Sequence, residues 1–544
     1  YEQYEAACQR AGLVDFAELL LKAFELWREH PDLLEHYRRR FRHILVDEFQ
    51  DTNTIQYAWL RLLAGQDNYM FIVGDDDQSI YGWRGARIEN IHRFSDDFGG
   101  TRVLRLEQNY RSTSTILNAA NALIANNQGR LGKNLWTEGE QGEPIRLYGA
   151  FNDLDEARFI VETMQQHINE GRARQEMAVV YRSNAQSRVI EEALLMAGIP
   201  YRVYGGMRFF ERAEIKDALA YLRMMANRDD DAAFERVVNT PTRGIGERSL
   251  QVLRDLAREQ QITMWQAALK VINEKLLPAR ATNAIANFLR LIDELATGAK
   301  GMLLQEQVEQ VLAASGLIDY YRKDKGEKAQ MRVENLEELV TAARQFSQQA
   351  DDENNTLEEF LAHAALEAGE GQAQAWEDCV QLMTLHSAKG LEFPVVFMCG
   401  LEEGLFPHQH SMDDPDKLEE ERRLCYVGMT RAMQQLYISY AEVRRLHGSE
   451  TYTQPSRFIR EIPADCLEEI RLGGIVAQPV SRGVTVESDS SPSMHLGQRV
   501  HHDKFGDGVV LNYEGEGRHA RVQVNFESVG SKWLVMEYAR LQLI

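Results

Sequence analysis

The chain has 544 residues, too many for one hydrophobic core, so several domains are expected. Hydrophobic residues make up 44% and charged residues 26%, which excludes a disordered or fibrous chain. The formal net charge of −22 excludes a globally basic nucleic-acid binder and leaves room only for a local basic groove. Five scattered cysteines without a CxxC pair argue against a zinc site or disulfide framework and fit a reducing cytoplasm. No apolar run reaches the length of a membrane span, and no signal peptide is seen. Tyr1 opens directly on helical sequence without an initiator Met, so the start is expected to be a truncation.

Residues 1 to about 40 predict helices, with Phe16, Leu19, Leu20 and Ala23 recurring at helical spacing, as do Phe24 and Trp27. Arg38, Arg39, Arg40 and Arg42 form a basic cluster that suits either a solvated helix end or phosphate contact. The apolar run Ile44-Leu45-Val46 predicts a buried strand ending in two adjacent carboxylates, Asp47 and Glu48. Ligands of open α/β sheets gather at such strand ends. One carboxylate can hold Mg²⁺ on a nucleotide while its neighbour activates water.

A second strand, Tyr69 to Val73, leads into Gly74-Asp75-Asp76-Asp77-Gln78-Ser79-Ile80-Tyr81-Gly82-Trp83-Arg84-Gly85. The Gln78 amide can reach a terminal phosphate or the attacking water. Tyr81 and Trp83 beside Arg84 and Arg87 suit base stacking next to phosphate contacts, or else are core aromatics. A third strand is expected at Arg102 to Leu106. It is followed by Gln108-Asn109-Tyr110-Arg111-Ser112, with Ser112 as N-cap of the next helix.

Strands at Ile145–Tyr148, Met177–Tyr181 and Tyr201–Val203 predict a second α/β domain. The pattern then turns helical from Gly205 to about Cys379, and strands return at Gln381–Thr384, Val395–Cys399 and Leu436–Tyr440. The helical block is therefore expected as an insertion. Within it, Arg243-Gly244-Ile245-Gly246 resembles the hairpin of helix-hairpin-helix elements, though an ordinary glycine turn fits equally. Residues 473–495 predict a flexible linker, and 496–544 a small SH3-like or Tudor-like barrel.

Two later stretches complete the pattern: Thr384-Leu385-His386-Ser387-Ala388-Lys389-Gly390-Leu391-Glu392-Phe393, and a helix from Glu419 to Ala432 carrying Arg431. With the DEFQD, GDDDQSIYGWRGA and QNYRS stretches they resemble, in order and spacing, superfamily 1A DNA helicases of the UvrD/PcrA/Rep family. The resemblance covers essentially the whole chain. It implies an α/β fold of RecA-like P-loop NTPase domains, the first incomplete, with a large helical insertion and the C-terminal barrel. The implied domains are 1–41 (remnant of 1B), 42–107 (1A), 108–204 and 380–472 (2A), and 205–379 (the mobile 2B).

The resemblance also implies roles. Asp47 holds Mg²⁺, Glu48 is the catalytic base, Gln78 senses the γ-phosphate, and Arg111 and Arg431 are arginine fingers. Tyr110 stacks on the adenine of ATP, and Gly390 and Glu392 lie at the ribose and phosphates. Tyr81, Trp83, Arg84 and His386 line a single-strand track, and Lys216, Arg243, Gly244, Ile245 and Gly246 are candidate duplex contacts. The implied activity is ATP-driven 3′ to 5′ unwinding in excision and mismatch repair, by a cytoplasmic, nucleoid-associated monomer or weak dimer. Partners would be single-stranded DNA, its junction with duplex and repair proteins, with RNA polymerase docking on the barrel. A non-catalytic binding relative is the alternative.

One departure matters. The family's phosphate loop, GxxxxGK[ST], and its upstream adenine-reading Gln are not found in these residues. Gly132-Lys133-Asn134 lacks the hydroxyl residue and upstream Gly, and Lys389-Gly390 has the reverse order. The chain alone is therefore expected to lack ATPase activity.

Overall fold

The structure is a computed structural model. It describes residues 4–6, 8, 14–65, 67–204, 206–324, 326–349, 356–369, 377–446, 449–470, 499–502, 506–514, 521–526, 530–535 and 541–543. The expected linker at 473–495 lies outside the described residues. The chain divides into two compact units, Tyr1–Ile470 and Arg471–Ile544.

The first unit opens on helices Phe16–Glu29 and Pro31–Arg40. The Asp15 carboxylate caps the former by accepting the Glu18 N–H at 2.8 Å. Pro31 starts the latter, where a missing N–H costs nothing. Trp27 and Leu34 from these helices pack with Phe49, Leu60 and Phe94 beneath a two-stranded parallel sheet, β1 (His43–Val46) and β2 (Tyr69–Ile72). Side chains alternate along both strands. Ile44, Val46, Met70 and Ile72 face the helices, while Leu45 and Phe71 face out, 74% and 57% exposed. Of the basic cluster, Arg38 donates to the Leu62 carbonyl at 2.8 Å and Arg39 pairs with Glu35.

The expected strand at Arg102–Leu106 is not formed. Those residues are extended without a ladder, and Leu106 is 85% exposed. Strand preference is largely a packing preference, and in this run Val103, Leu104 and Leu106 are all exposed. The expected cap also moves by one residue. Thr113 is the N-cap of helix Ser114–Ile124, and the Ser112 hydroxyl instead donates to the Ala432 carbonyl at 2.6 Å.

A larger sheet follows. Its strands are β3 (Ile145–Asn152), β4 (Met177–Tyr181), β5 (Tyr201–Val203), β6 (Val380–Thr384), β7 (Phe393–Met398), β8 (Ala432–Leu446), β9 (Ser449–Tyr452) and β10 (Leu467–Glu469). The order is β10-β3-β8-β7-β4-β6-β5, parallel throughout, with β9 antiparallel on β8. All five β4 residues are buried. Helices cover both faces, as a parallel sheet requires. Ile116, Leu123, Leu424 and Val427 fill one side, and Phe159, Met164, Ile190 and Leu194 the other.

β5 and β6 are paired neighbours, yet nine helices stand between them in sequence, from Ala213–Ala226 to Leu357–Gly369 among the described residues. They enclose a core of their own around Tyr221, Phe234, Phe288, Leu336 and Phe360. The second unit is an antiparallel five-stranded sheet of β11 (Arg499–His502), β12 (Gly506–Glu514), β13 (Arg521–Phe526), β14 (Gly530–Val535) and β15 (Gln542–Leu543). Its order is β14-β13-β12-β11-β15, around Val500, Val522 and Val524.

Candidate active site

β1 ends at Asp47 and Glu48, both exposed. Glu48 takes a left-handed backbone, φ 49°, which costs a non-glycine residue on the order of 1 kcal/mol. The surrounding bonds hold it there. The Glu48 N–H donates to Asp47 Oδ1 at 2.9 Å, and the Phe49 N–H donates to the Val73 carbonyl at 3.0 Å. Gln50, fully buried, donates to Glu48 Oε2 at 2.5 Å and accepts the Asp75 N–H at 3.0 Å. Asp47 Oδ2 and Glu48 Oε1 keep no partner among the described residues.

The Asp75–Gln78 loop is held from within the chain by two cations and a backbone N–H. Arg130 grips Asp77 with two bonds of 2.7 Å, Lys133 pairs with Asp75, and the Leu131 N–H donates to Asp76 at 2.7 Å. Gln78 Nε2 donates to Asp75 Oδ2 at 2.6 Å, so its amide is held at the mouth of this loop. Further along, Tyr81, Trp83 and His386 form an aromatic cluster with centroids 6.1–6.4 Å apart. The Arg84 guanidinium lies 4.5 Å over the Trp83 ring. Glu420 holds the loop by accepting the Gly82 N–H at 2.9 Å.

The turn between β6 and β7 reaches all of these places. The His386 carbonyl accepts from the Tyr81 hydroxyl at 3.3 Å. Lys389 Nζ lies 2.6 Å from Asp51 Oδ2 and 3.3 Å from Glu48 Oε2, and donates to the Gln78 carbonyl at 3.0 Å. Glu392 accepts from Arg111 Nε at 2.5 Å. Burial, with Arg182 and Arg84 nearby, pulls the His386 imidazole down to about 3, so it is neutral near pH 7. Burial raises the Asp51 carboxyl against the opposing pull of Lys389. Gly390 sits in the turn at φ 83°, a backbone shape suited to glycine.

Arg431 follows the helix Pro415–Met429, which stops three residues before the expected end. Its side chain is 2% exposed and makes no ion pair among the described residues. It donates instead to the Val427 and Leu391 carbonyls at 3.0 and 3.1 Å. Burial and the neighbouring Arg111 charge bring its guanidinium down to about 10. Arg431 is thus a buried arginine without a carboxylate of its own among the described residues, next to Arg111, which Glu392 already pairs. Tyr110 stands 85% exposed nearby in sequence, its hydroxyl donating to Gln108 at 3.0 Å.

Residues 104–443 match the UvrD-like helicase C-terminal domain, and residues 1–99 match the UvrD/REP helicase N-terminal domain. The chain belongs to the UvrD-like helicase family. The PcrA/UvrD tudor domain matches residues 496–542. DNA helicase II of Escherichia coli strain K12 is 62% identical over 549 residues, spanning all of this chain and 76% of that protein. DNA helicase II of Haemophilus influenzae is 55% identical over 549 residues, across all of this chain and 75% of the relative. ATP-dependent DNA helicase PcrA of Bacillus subtilis is 40% identical over 565 residues, with coverage of 100% and 76%.

Within this UvrD-like frame the insertion residues divide. Lys216 is exposed on the helix Ala213–Ala226, and Gly244 and Gly246 are exposed in their turn. Arg243 lies in the same turn, partly buried. Its guanidinium turns inward to the Val237 and Pro241 carbonyls at 3.0 and 3.1 Å and to the Tyr221 hydroxyl, and Ile245 is 1% exposed. The Arg243 and Ile245 side chains therefore shape the turn from inside. A guanidinium surrounded by carbonyls gains more from them than from solvent. Gln50, Asp51, Arg130, Lys133, Lys389 and Glu420 are the contributors that sequence reasoning missed. Lys389 alone carried a signal, as a cation between small residues in the turn after a strand.

Proposed function

We propose that this chain is the motor of an ATP-dependent DNA helicase that moves 3′ to 5′ on single strands and opens the duplex ahead. One observation carries the reading. A single turn places His386 on the Tyr81–Trp83 aromatic cluster, Lys389 on Glu48 and Asp51, and Glu392 on Arg111. A base stacking on the aromatics therefore presses on the same turn that meets the hydrolytic carboxylates, which is what coupling of DNA to ATP needs.

Within that reading, Glu48 Oε1 takes a proton from the attacking water, and Gln78 orients that water. Arg111 and Arg431 meet the charge that develops on the transferred phosphoryl group. The exposed Tyr110 ring stacks on the adenine, and Gly390 lets the turn approach the nucleotide. Trp83, Tyr81, Arg84 and His386 hold successive bases, while Lys216 and the Gly244–Gly246 backbone face duplex phosphate. The oxygen-only donor set left free at Asp47 suits Mg²⁺, which when bound neutralises phosphate charge. Asp75, Asp76 and Asp77 are already engaged by Lys133, the Leu131 N–H and Arg130 in turn, so they hold Gln78 in place rather than the ion.

The relatives' printed names support a DNA helicase. Excision and mismatch repair are the proposed settings, with the tudor-like unit as a docking module for a protein partner such as RNA polymerase. We also propose that these 544 residues alone turn over no ATP, since they contain no GxxxxGK[ST] loop. The outward face of β1 and β2, with Leu45 and Phe71, is where a segment bearing such a loop would pack. The test is ATP hydrolysis by this chain, with and without single-stranded DNA, then with that segment supplied. No turnover alone and DNA-stimulated turnover afterwards is expected. Turnover by the chain alone would refute the claim about the missing loop. Absence of DNA stimulation after restoration would leave only a binding relative.

A further inference from the structure

Among the described residues, two groups of side chains bring three ligand atoms within 4.8 Å of one another. One is Asp75, Asp76 and Asp77, which already engage Lys133, the Leu131 N–H and Arg130. The other is Glu192, His363 and Glu367, and it lies apart from the site above. His363 and Glu367 share a face of the helix Leu357–Gly369 at four-residue spacing, and Glu192 comes from the helix Ser187–Met196 of the larger sheet.

The imidazole is fixed in place. It stacks on Phe346 with centroids 5.2 Å apart and meets the edge of Phe210 at 6.3 Å. Its Nε2 lies 3.2 Å from Glu367 Oε1, the one polar partner of either residue among the described residues. The Glu367 and Glu192 side chains are 14% and 13% exposed. Arg188 anchors Glu192 at 2.5 Å and also donates to Glu338 and Gln345, and it makes no ion pair with Glu367 among the described residues. Two sheltered carboxylates therefore share one imidazole, and among the described residues only Glu192 is ion-paired to an arginine.

We propose that Glu192, His363 and Glu367 bind one divalent transition-metal ion, Zn²⁺ being the best chemical match, which clips the helical insertion to the helix Ser187–Met196. One imidazole nitrogen and two carboxylate oxygens suit Zn²⁺, with water in the fourth position. Mg²⁺ and Ca²⁺ prefer oxygen alone. Ligand bonds of about 2.0–2.2 Å need donor atoms about 3.4 Å apart, and rotation of the two glutamate side chains closes that gap.

The test is titration of the 544-residue chain with Zn²⁺ alone, with Co²⁺ as a second probe whose visible band reports tetrahedral geometry. One Zn²⁺ per chain and a tetrahedral Co²⁺ band are expected. His363→Ala and Glu367→Gln should each weaken binding at least about tenfold and abolish the band. His410→Ala, in the stacked surface pair with His408, should change neither. Glu367→Gln keeps the side-chain shape, so it decides the matter even if His363→Ala disturbs the Phe346 packing. Unchanged affinity in Glu367→Gln, or no tetrahedral band with the unaltered chain, overturns the proposal.

Discussion

β4 is buried at every position, with helices on both faces of its sheet, whereas β1 and β2 bury one face and leave Leu45 and Phe71 in solvent. The larger sheet is held by its own packing. The smaller one is held in part through its loops, by groups that come from beyond it: Arg130 and Lys133 on Asp77 and Asp75, Lys389 on Asp51 and Glu48, and Glu420 on the Gly82 N–H. The carboxylates proposed to do the chemistry, Asp47 and Glu48, thus sit on the less self-sufficient half. Their geometry depends on side chains supplied by the other half.

The sharpest test of that dependence is Arg431→Ala, with a phosphate-loop segment supplied. Arg431 belongs to the well-packed half but is proposed to act on the other, so turnover should fall about 10³-fold, about 4 kcal/mol. Steady-state hydrolysis measures it, and a fall of less than about tenfold would break the link between the halves.

Next comes packing itself. Phe397 is 1% exposed and stacks on Tyr437 with centroids 4.6 Å apart. Phe397→Ala should cost about 3–5 kcal/mol in denaturant unfolding. Phe71→Ala, on the open face, should cost less than about 0.5 kcal/mol. Equal costs would mean that the two sheets are not held differently.

Lys389→Ala addresses the connection directly. Loss of its bonds to Asp51 and the Gln78 carbonyl should lower the local opening free energy of residues 47–51 by about 1–2 kcal/mol. Hydrogen exchange at the Asp51 amide would report it. Amides of β4 should not change.

The same turn should also give a pH slope through His386. Its folded value of about 3 lies below the ordinary histidine range, so the unfolded chain binds the extra proton first. Between roughly pH 6.5 and 3 stability therefore falls with acid and is regained as pH rises. Thermal unfolding across that range should show the slope, and His386→Gln should flatten it.

In the larger sheet β4 is a short, wholly apolar run and it and β5 match their expected bounds, whereas β8 runs on to 15 residues and the polar β9 and β10 gave no apolar signal. The sequence misplaced the run at 102–106 because Val103, Leu104 and Leu106 carry strand preference without a neighbour to pair with. The site residues stood out through their motifs, but the bonds that orient them did not. Arg130 lies 53 positions from Asp77, and Lys389 lies 338 from Asp51. No local period encodes such pairs. Nor did the sequence show that the Arg243 guanidinium turns to the Val237 and Pro241 carbonyls.

His386, Lys389 and Glu392 stand three residues apart, and each is anchored to a different part of the molecule. Three residues of chain span at most about 10–11 Å, so little slack separates one anchor from the next. Length, more than composition, is then the property this turn has to keep. Removing or adding a single residue between His386 and Glu392 would throw at least one anchor out of register. Such a change should be harsher than substitution of any one of the three.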